Sequence, residues 1–445
     1  MVEHSVRRAR RVALVVVGLV VLAAAGGYFW QRPLLLTGTG YAAHNACALA
    51  AIAGRGAPEA DLPPNPLVPV LRTATGPEGA TSSVLGVLAT QTAWAGDGFG
   101  CTLDDRRPDL PQSTVVDATG NPYTDAPTAA AAQDVLDYAF GTDLPAADRA
   151  ELGTRAVVVL KDGRLVAERY APGFGPTTPQ LGWSMSKSVT DLLVGRLVQE
   201  GKVSLDDDHL RPEWDGDRRA TITVRQLLQM TSGLAWDETY ALNTPITRML
   251  YLEHDMGAYV ASQGLAHDPG THLQYSSGST TLLCSVLAER TGLGANLPRD
   301  LLFAPLGLSS AVLEPDAVGT PVCSSYMWAT PRDWAAVGQF ALDDGVWNGQ
   351  RLLPGGWLAA STKAVAVTSQ ESAPYATGWW PNQGPDGALV EPGLPADAYF
   401  AEGHDGQWTI VVPSRRLVVV RLGFTPTRAD SRGLSTAVGM LHALP

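Results

Sequence analysis

Ser184 and Lys187 stand three residues apart at the start of an apolar helical pattern, in the stretch GWSMSKSVTDLLVG at residues 182–195. Residues at this spacing share one face of a helix, so the hydroxyl and the amine can touch. Apolar neighbours and the positive end of the helix dipole both favour the neutral amine, which can accept the serine proton. Arginine cannot do so because it stays protonated, and lysine is rare here, with four among 32 basic residues. The motif therefore predicts a serine nucleophile with a lysine base.

The same residues also fit a plainer interpretation, in which a serine caps the helix and the lysine lies on a solvated face. Two observations favour the catalytic interpretation. No other Ser-x-x-Lys occurs in the chain, and the residues around this one are mostly apolar.

A second polar cluster is QYSSGSTT, residues 274–281, where Tyr275 and Ser277 precede a helical pattern. At such a junction both side chains can face one cleft. The tyrosine can then carry a proton to a leaving group in partnership with Lys187. The alternative is a tyrosine that packs beneath a loop rich in serine and glycine.

A third cluster is GHDGQ, residues 403–407, which comes just before an apolar strand. His404 and Gly406 can bring a polar side chain and bare backbone against a bound substrate. The amide of Gln407 can join the amide of Ser184 as an oxyanion hole. The alternative is an ordinary turn.

In this order and these contexts the three clusters resemble the motifs of the serine β-lactamase and penicillin-binding-protein superfamily. Within it, the chain is similar to the class C β-lactamases and related esterases, whose motifs are Ser-x-x-Lys, Tyr-x-Asn and Lys-Thr-Gly, the last often His-x-Gly. The stretches ITVRQLLQMTSGLAWDETY, SSYMWATPRDWAAVGQ and DDGVWNGQRLLP further resemble the 6-aminohexanoate-dimer hydrolase branch. The resemblance covers roughly residues 126–445.

The resemblance implies a role for each matching residue. It implies Ser184 as the acyl-forming nucleophile, Lys187 as its base and Tyr275 as general acid and base for the leaving group. The implied substrate-binding and oxyanion-hole residues are Trp183, Trp236, Tyr240, Ser277, His404, Gly406 and the backbone amides of Ser184 and Gln407. Core packing is the alternative for each tryptophan.

Three departures bear on the substrate. Ser277 replaces the asparagine that holds the substrate amide in β-lactamases, and His404 with Asp405 replaces Lys-Thr, which removes a fixed cation. No acidic residue follows Tyr240 at the distance found in the oligomer hydrolases. We therefore expect a serine hydrolase of small esters or amides. A D-Ala-D-Ala peptidase or β-lactamase, or a catalytically silent cell-wall binding protein, is the alternative.

The elements that must position these residues are two hairpins with helices between them. RAVVVLKDGRLVAERY, residues 155–170, and QWTIVVPSRRLVVVRLG, residues 407–423, each read as paired apolar strands around a turn. The patterns predict an α/β (α+β) fold, in which helices flank an antiparallel sheet and a mostly helical subdomain is inserted.

The N-terminus predicts a membrane anchor. Four arginines lie within residues 7–11, and an uncharged apolar run follows from Val12 to Trp30, long enough to cross a bilayer. This charge distribution predicts a cytoplasmic N-terminus and a catalytic domain outside the cytoplasm. A signal peptide cleaved near residues 23–27 is the alternative, which would make the protein secreted.

We expect three segments: a basic tip and signal anchor at 1–33, an extracytoplasmic segment at 34–125, and the hydrolase domain at 126–445. An even number of cysteines fits an exported protein with disulfides, with Cys47–Cys101 the favoured pair and Cys284–Cys323 either paired or two buried thiols.

A formal charge of −12 disfavours nucleic acid as a partner. No motif predicts a metal or another cofactor, and the oligomeric state is left open.

Overall fold

The computed structural model describes residues 2–367, 369–370 and 373–444. The helices, in chain order, are α1 Val2–Ala51, α2 Gln133–Ala139, α3 Ala146–Leu152, α4 Met185–Gln199, α5 Val224–Leu228, α6 Pro245–Leu252, α7 Met256–Ala261, α8 Ser277–Thr291, α9 Ala304–Leu306, α10 Pro331–Leu342, α11 Trp357–Ser361 and α12 Gly433–Ala443. The strands are β1 Leu71–Gly76, β2 Gly79–Val84, β3 Leu88–Gly96, β4 Gly100–Leu103, β5 Thr154–Lys161, β6 Arg164–Tyr170, β7 Gln180–Leu181, β8 His272–Leu273, β9 Val312–Leu313, β10 Met327–Ala329, β11 Val346–Trp347, β12 Gln350–Arg351, β13 Ser369–Gln370, β14 Trp380–Pro381, β15 Tyr399–Gly403, β16 Gln407–Val412 and β17 Leu417–Gly423.

An antiparallel sheet of six strands, in the order β14-β15-β16-β17-β5-β6, forms the centre of the hydrolase domain. Both predicted hairpins are present, and the turn between β5 and β6 has Asp162 at φ 51° and Gly163 at φ 73°, as a tight two-residue turn requires. The predicted helix-flanked antiparallel sheet is therefore confirmed.

The alternation of side chains along β5 explains why both faces of the sheet are covered. Val158 and Leu160 join the large core that contains α4, α8 and α10, whereas Val157 and Val159 join a second core with α2 and α12. Successive residues of a strand point to opposite faces. An apolar run without polar alternation therefore requires helices on both sides, and that arrangement is observed.

Helices α4 to α9 form the helical part that carries two of the three sequence motifs. The helix α4 is buried along most of its length, as is α8. Cys284 in α8 is bonded to Cys323, and the other pair, Cys47–Cys101, is formed as well. The favoured disulfide is thus present, and of the two alternatives for Cys284 and Cys323 the structure has the paired one.

The helix α1 runs without interruption across residue 33, where we expected the anchor to end. Its second half is buried against the body of the protein: Tyr41 stacks on Tyr251 at 5.0 Å between ring centroids, and His44 stacks on Tyr326 at 4.2 Å. Residues 43–49 share a core with the four-stranded sheet β1-β2-β3-β4. The first half is exposed and is the one helix among the described residues long and apolar enough to cross a membrane.

A buried glutamate joins this N-terminal layer to the hydrolase domain. Glu314 accepts hydrogen bonds from the Cys101 N–H at 2.7 Å and from the Trp328 indole at 2.9 Å, and it lies 3.3 Å from His44. A buried carboxylate needs such donors to compensate for lost hydration. The segment at 34–125 is consequently packed into the same body as the hydrolase domain.

Candidate active site

Ser184 lies at the tip of the loop that connects β7 to α4. The residue before it, Trp183, has a left-handed backbone with φ 49°. The carbonyl oxygen of Gly182 packs so closely against Gly403 that a Cβ at residue 403 would lie 2.1 Å from this oxygen. Ser184 is partly exposed, whereas its neighbours are buried. The loop therefore presents one hydroxyl to solvent beside the end of β15.

Lys187 is buried one turn along α4 and points at this hydroxyl. Its Nζ donates to Ser184 Oγ at 2.8 Å, to Ser277 Oγ at 2.9 Å and to the carbonyl oxygen of Ser324 at 3.0 Å. Burial lowers the pKa of Lys187 to about 8, although the charge of Glu238 acts in the opposite direction. A substantial fraction of the lysine is therefore neutral near pH 8.

Glu238 is the carboxylate beside this lysine, and it is held by three donors. Ser277 Oγ donates to Glu238 Oε1 at 2.5 Å, while the Ser277 N–H and the Trp236 indole donate to Oε2 at 2.8 and 2.6 Å. The three contacts fix the carboxylate rigidly. Ser277 is consequently a link between Lys187 and Glu238.

This network determines where the lone pair of a neutral Lys187 points. The Ser324 carbonyl can only accept a hydrogen bond, and the hydroxyl hydrogen of Ser277 is already donated to Glu238 in a hydrogen bond. Both oxygens must therefore accept an N–H from the lysine. The two protons of a neutral amine are then used, and the lone pair faces Ser184. The geometry is that of a base ready to accept the serine proton.

Tyr275 completes the group on the cavity side. Its ring lies under Lys187 Nζ, with 4.8 Å to the ring centroid, and it stacks on Trp380 at 5.2 Å. Burial raises the pKa of Tyr275 well above its usual value, and contact with the Ser184 side chain offsets this only in part. Tyr275 is therefore a protonated phenol, suited to donate and relay a proton.

A cavity of about 460 Å³ opens in front of Ser184. Its lining consists of Ser184, Glu238, Tyr240, Tyr275, Trp380, Glu402, Gly403, His404, Asp405, Gly406, Trp408, Thr425, Pro426, Arg428, Ala429 and Ser431. Of the residues expected to bind substrate, Tyr240, His404 and Gly406 are among them. The rings of Tyr240 and His404 stack at 4.7 Å and form one wall.

Trp183, Trp236 and Ser277 lie behind this cavity instead of lining it. Trp183 packs edge-on against Tyr41 and Tyr240, and Trp236 covers Gly278 while it orients Glu238. Ser277 is fully buried. Their contacts support the positions of other residues, and a direct contact of these three residues with substrate stays a prediction.

Gln407 is the first residue of β16, after the turn that follows β15. Gly403 pairs with Gln407 across β15 and β16, so His404, Asp405 and Gly406 form the turn between the strands. The Gln407 side chain is buried and donates to the carbonyls of His404, Asp405 and Gly423. Gln407 is absent from the lining above, whereas Gly403 and His404 belong to it. The sequence motif did not reveal this register, because it did not show where the first strand ends.

Sequence reasoning missed Glu238 and Glu402. The acidic residue was expected after Tyr240, whereas Glu238 precedes Tyr240 by two residues in WDETY. Glu402 is at the end of β15, where burial raises its pKa to about 7. A carboxylate inside an aromatic stretch was the available signal for the first. Among the described residues no group of three or more potential metal ligands lies together.

Comparisons with known proteins agree with this geometry. The model of the family named Beta-lactamase matches residues 145–437. The 6-aminohexanoate-dimer hydrolase of Paenarthrobacter ureafaciens is 28% identical over 269 residues, which cover 54% of this chain and 68% of that protein.

Solved structures show the same fold. A Bacillus anthracis protein described as a candidate 6-aminohexanoate-dimer hydrolase superposes with a TM-score of 0.59 at 22% identity, covering 74% of this chain and 90% of the other. A family VIII carboxylesterase superposes with a TM-score of 0.55 at 17% identity, covering 72% and 99%. The family model covers well over half of the chain and includes the Ser184–Lys187 pair. The chain therefore belongs to the β-lactamase family and is a serine hydrolase.

Proposed function

We propose that this protein is a membrane-anchored hydrolase outside the cytoplasm, which cleaves small esters or amides through an acyl-enzyme on Ser184. The observation that carries the proposal is the 2.8 Å contact between Lys187 Nζ and Ser184 Oγ, with the lysine buried. The relatives named as a 6-aminohexanoate-dimer hydrolase and a family VIII carboxylesterase support hydrolysis of small substrates.

The reaction proceeds in two displacements at the carbonyl carbon. Neutral Lys187 takes the proton of Ser184 as Oγ attacks, and a tetrahedral oxyanion forms. The intermediate collapses when the leaving alcohol or amine receives a proton through Tyr275. Water then attacks the acyl-enzyme, its proton returns through the same groups, and a carboxylic acid leaves with Ser184 regenerated. Ester cleavage demands less of the proton transfer to the leaving group than amide cleavage does.

Two backbone amides are available to stabilise the oxyanion. The Ser184 N–H donates to no other described residue, which leaves it free to bind a ligand. We assign the second donor to the backbone N–H of His404 instead of that of Gln407. His404 follows Gly403, which contacts Gly182, and it borders the cavity. Donors fixed in this way act without reorganisation during the reaction.

The charges around the cavity favour neutral or cationic substrates. Glu238, Glu402 and Asp405 contribute carboxyl groups, and Arg428 contributes the one arginine or lysine side chain among the lining residues. A β-lactam or a peptide C-terminus carries a carboxylate, which the cavity would repel. This charge balance favours esterase or amidase chemistry over the β-lactamase and D-Ala-D-Ala peptidase alternatives.

The exposed first half of α1 supports the anchoring part of the proposal. Its side chains from Val12 to Trp30 are apolar and lie in solvent contact, whereas the buried half begins after Pro33. Arginines at residues 7–11 precede this run. This distribution supports a single span with the basic end in the cytoplasm.

The test uses the full-length protein in detergent and a fluorophosphonate probe. We expect wild type to be labelled at Ser184 and to hydrolyse p-nitrophenyl butyrate, and we expect Ser184→Ala and Lys187→Arg to do neither at a measurable rate. Nitrocefin should be turned over at least a hundredfold more slowly than the ester. An unlabelled Ser184, or equal ester hydrolysis by S184A and wild type, would exclude the acyl-enzyme.

A further inference from the structure

The hairpin of β2 and β3 lies along α1 and points its turn toward the exposed half of that helix. At its far end, Ala93 packs in the core with residues 43–49 of α1. Nearer the turn, Gln91 Nε2 lies 3.4 Å from the carbonyl of Leu36. At the turn itself, the Ala89 N–H is 3.2 Å from the Tyr28 hydroxyl. The turn therefore lies at the level where α1 leaves the body of the protein.

The turn is apolar although it is exposed. Leu85 is 60% exposed and Val87 is 77% exposed, and Leu88 beside them is also exposed. Soluble proteins seldom place adjacent large apolar side chains on a projecting turn, because their hydration is unfavourable. Phe29 and Trp30, which follow Tyr28 on α1, are exposed as well. Together with the turn, which the Ala89–Tyr28 contact joins to α1, they are called the apolar surface.

The backbone conformation of this turn does not favour a leucine at residue 85. Leu85 has φ 53° and Gly86 has φ 85°, the pair of left-handed conformations for which asparagine and glycine are preferred. A leucine in the first position is strained, because its Cβ crowds the following carbonyl. The hydrophobic side chain is present despite this cost.

Basic side chains lie just beyond the apolar surface on both elements. Arg32 follows Trp30 on α1 and is exposed, and Arg72 on β1 is exposed opposite Ser83, two residues before Leu85. In a membrane protein, aromatic and apolar residues at the interface followed by arginine match the acyl boundary and the phosphate layer. A second protein chain would not require this order.

We infer that the β2–β3 turn, residues 85–88, inserts into the outer leaflet beside α1 and forms a second membrane contact. The inference rests on the anchoring in the proposed function. A single helix leaves a protein free to tilt, whereas two contacts set the orientation of the body on the lipid surface. The partner is the acyl and headgroup boundary of a bilayer.

The test places an environment-sensitive fluorophore on the turn of the full-length protein. All four native cysteines are in disulfides, so a single introduced cysteine can be labelled selectively. Val87→Cys is labelled with NBD and reconstituted in vesicles of phosphatidylcholine and phosphatidylglycerol. Leu22→Cys reports the span, and Val390→Cys, an exposed position between β14 and β15, is the matched control. Each labelled protein must hydrolyse the ester as wild type does.

We expect the label at residue 87 to show a blue-shifted emission and at least twofold quenching by doxyl-labelled lipid, as at residue 22, with no quenching at residue 390. Quenching at 22 but not at 87 would overturn the turn insertion and keep the anchor. No quenching at either position would exclude both. A blue shift at 87 that depends on protein concentration, without lipid quenching, would indicate a second copy of the chain and would also overturn the inference.

Discussion

In the proposed mechanism, two opposing influences act on the amine of Lys187. Burial drives Lys187 toward its neutral form, and Glu238 draws it toward the charged form. The balance leaves the pKa at about 8, close enough to neutrality for a base that must accept a proton and return it. A lysine without the carboxylate would be neutral more often but a weaker base.

The first prediction concerns the pH dependence of the wild-type enzyme. Lys187 must be neutral to accept the Ser184 proton, and its folded pKa is lowered to about 8. The kcat/KM for a neutral ester should rise about tenfold per pH unit below pH 8 and level off above it. Stopped-flow or plate assays between pH 6 and 10 measure this profile. A profile without this limb would show that Lys187 is not the base.

The second prediction concerns Glu238→Gln. The glutamine amide has only one accepting oxygen, so it cannot accept from all three donors, and its N–H must face Ser277 Oγ. Ser277 Oγ then accepts this hydrogen bond and no longer needs one from Lys187. We expect kcat/KM to fall roughly tenfold to a hundredfold. Loss of the carboxylate should also move the acidic limb to lower pH, because the charge that raises the lysine pKa is gone.

The matched control for this variant is Asp237→Asn, at the exposed neighbouring carboxylate. It should keep both the rate and the position of the limb. A purely structural role for Glu238 would lower the rate and leave the limb at the wild-type pH. Equal profiles for E238Q and wild type would contradict the positioning role entirely.

Sequence alone predicted which residues meet and failed to predict how they are linked. The spacing of Ser184 and Lys187 is a property of one helix turn, so it could be read directly. Glu238 reaches the lysine only through Ser277 and the packing of Trp236, and nothing in the local sequence encodes that contact. The position of Gln407 in its hairpin has the same origin, because hairpin register depends on pairing with a distant strand.

At the scale of elements, a second buried carboxylate, on α4 itself, fixes the position of this helix. Asp191, one turn after Lys187, accepts hydrogen bonds from the indoles of Trp357 and Trp379 and from the Ser361 hydroxyl. Burial nevertheless raises its pKa to about 7. The contacts fix the rotation of α4, and with it the direction in which Lys187 points.

The third prediction compares Asp191→Ala with Asp191→Asn by chemical denaturation. Alanine leaves two buried indole N–H groups without their acceptor, so the free energy of unfolding should fall by roughly 2–4 kcal/mol. Asparagine can keep its oxygen on both indoles and donate to Ser361, so it should stay within about 1 kcal/mol of wild type at neutral pH. Equal losses in both variants would contradict this account.

The same pair tests the titration of Asp191. Its folded pKa, about 7, exceeds the ordinary aspartate value of 3.8, so between these limits the folded protein binds more protons at this site than the unfolded chain. The Asp191 contribution to stability therefore decreases as pH rises from about 4 to 7. This decrease should be absent in the asparagine variant.

The elements differ in how well their sequences reveal them. Both long hairpins were predicted, because apolar runs of β-branched residues flank turn signals. The continuity of α1 was not. We expected the anchor to end at residue 33, just after the apolar run, yet α1 continues through Pro33 to Ala51 and packs against Tyr251 and Tyr326. Tertiary contacts overrode a local breaker.

At the scale of the whole molecule, the two halves of α1 have different surroundings. Residues 12–27 in its first half are uncharged and exposed, whereas its second half is part of the core. The disulfide Cys47–Cys101 then joins that half to β4. Removal of the proposed anchor and removal of the core half should thus have very different consequences.

The fourth prediction tests this division with truncated chains. Residues 34–445 should be monodisperse without detergent and should hydrolyse the ester within about twofold of the full-length rate, since the core half of α1 remains. Residues 52–445 with Cys101→Ser should aggregate, because the core formed by Ala43, Leu49 and Trp328 is opened to water.

The control is 34–445 with both Cys47 and Cys101 changed to serine. It loses the 54-residue crosslink, about 4 kcal/mol in the chain-entropy model, and keeps the helix. Size-exclusion chromatography and the ester assay distinguish the three chains. A folded and active 52–445 fragment would show that the helix only anchors the protein, whereas inactivity of the control alone would assign the effect to the disulfide.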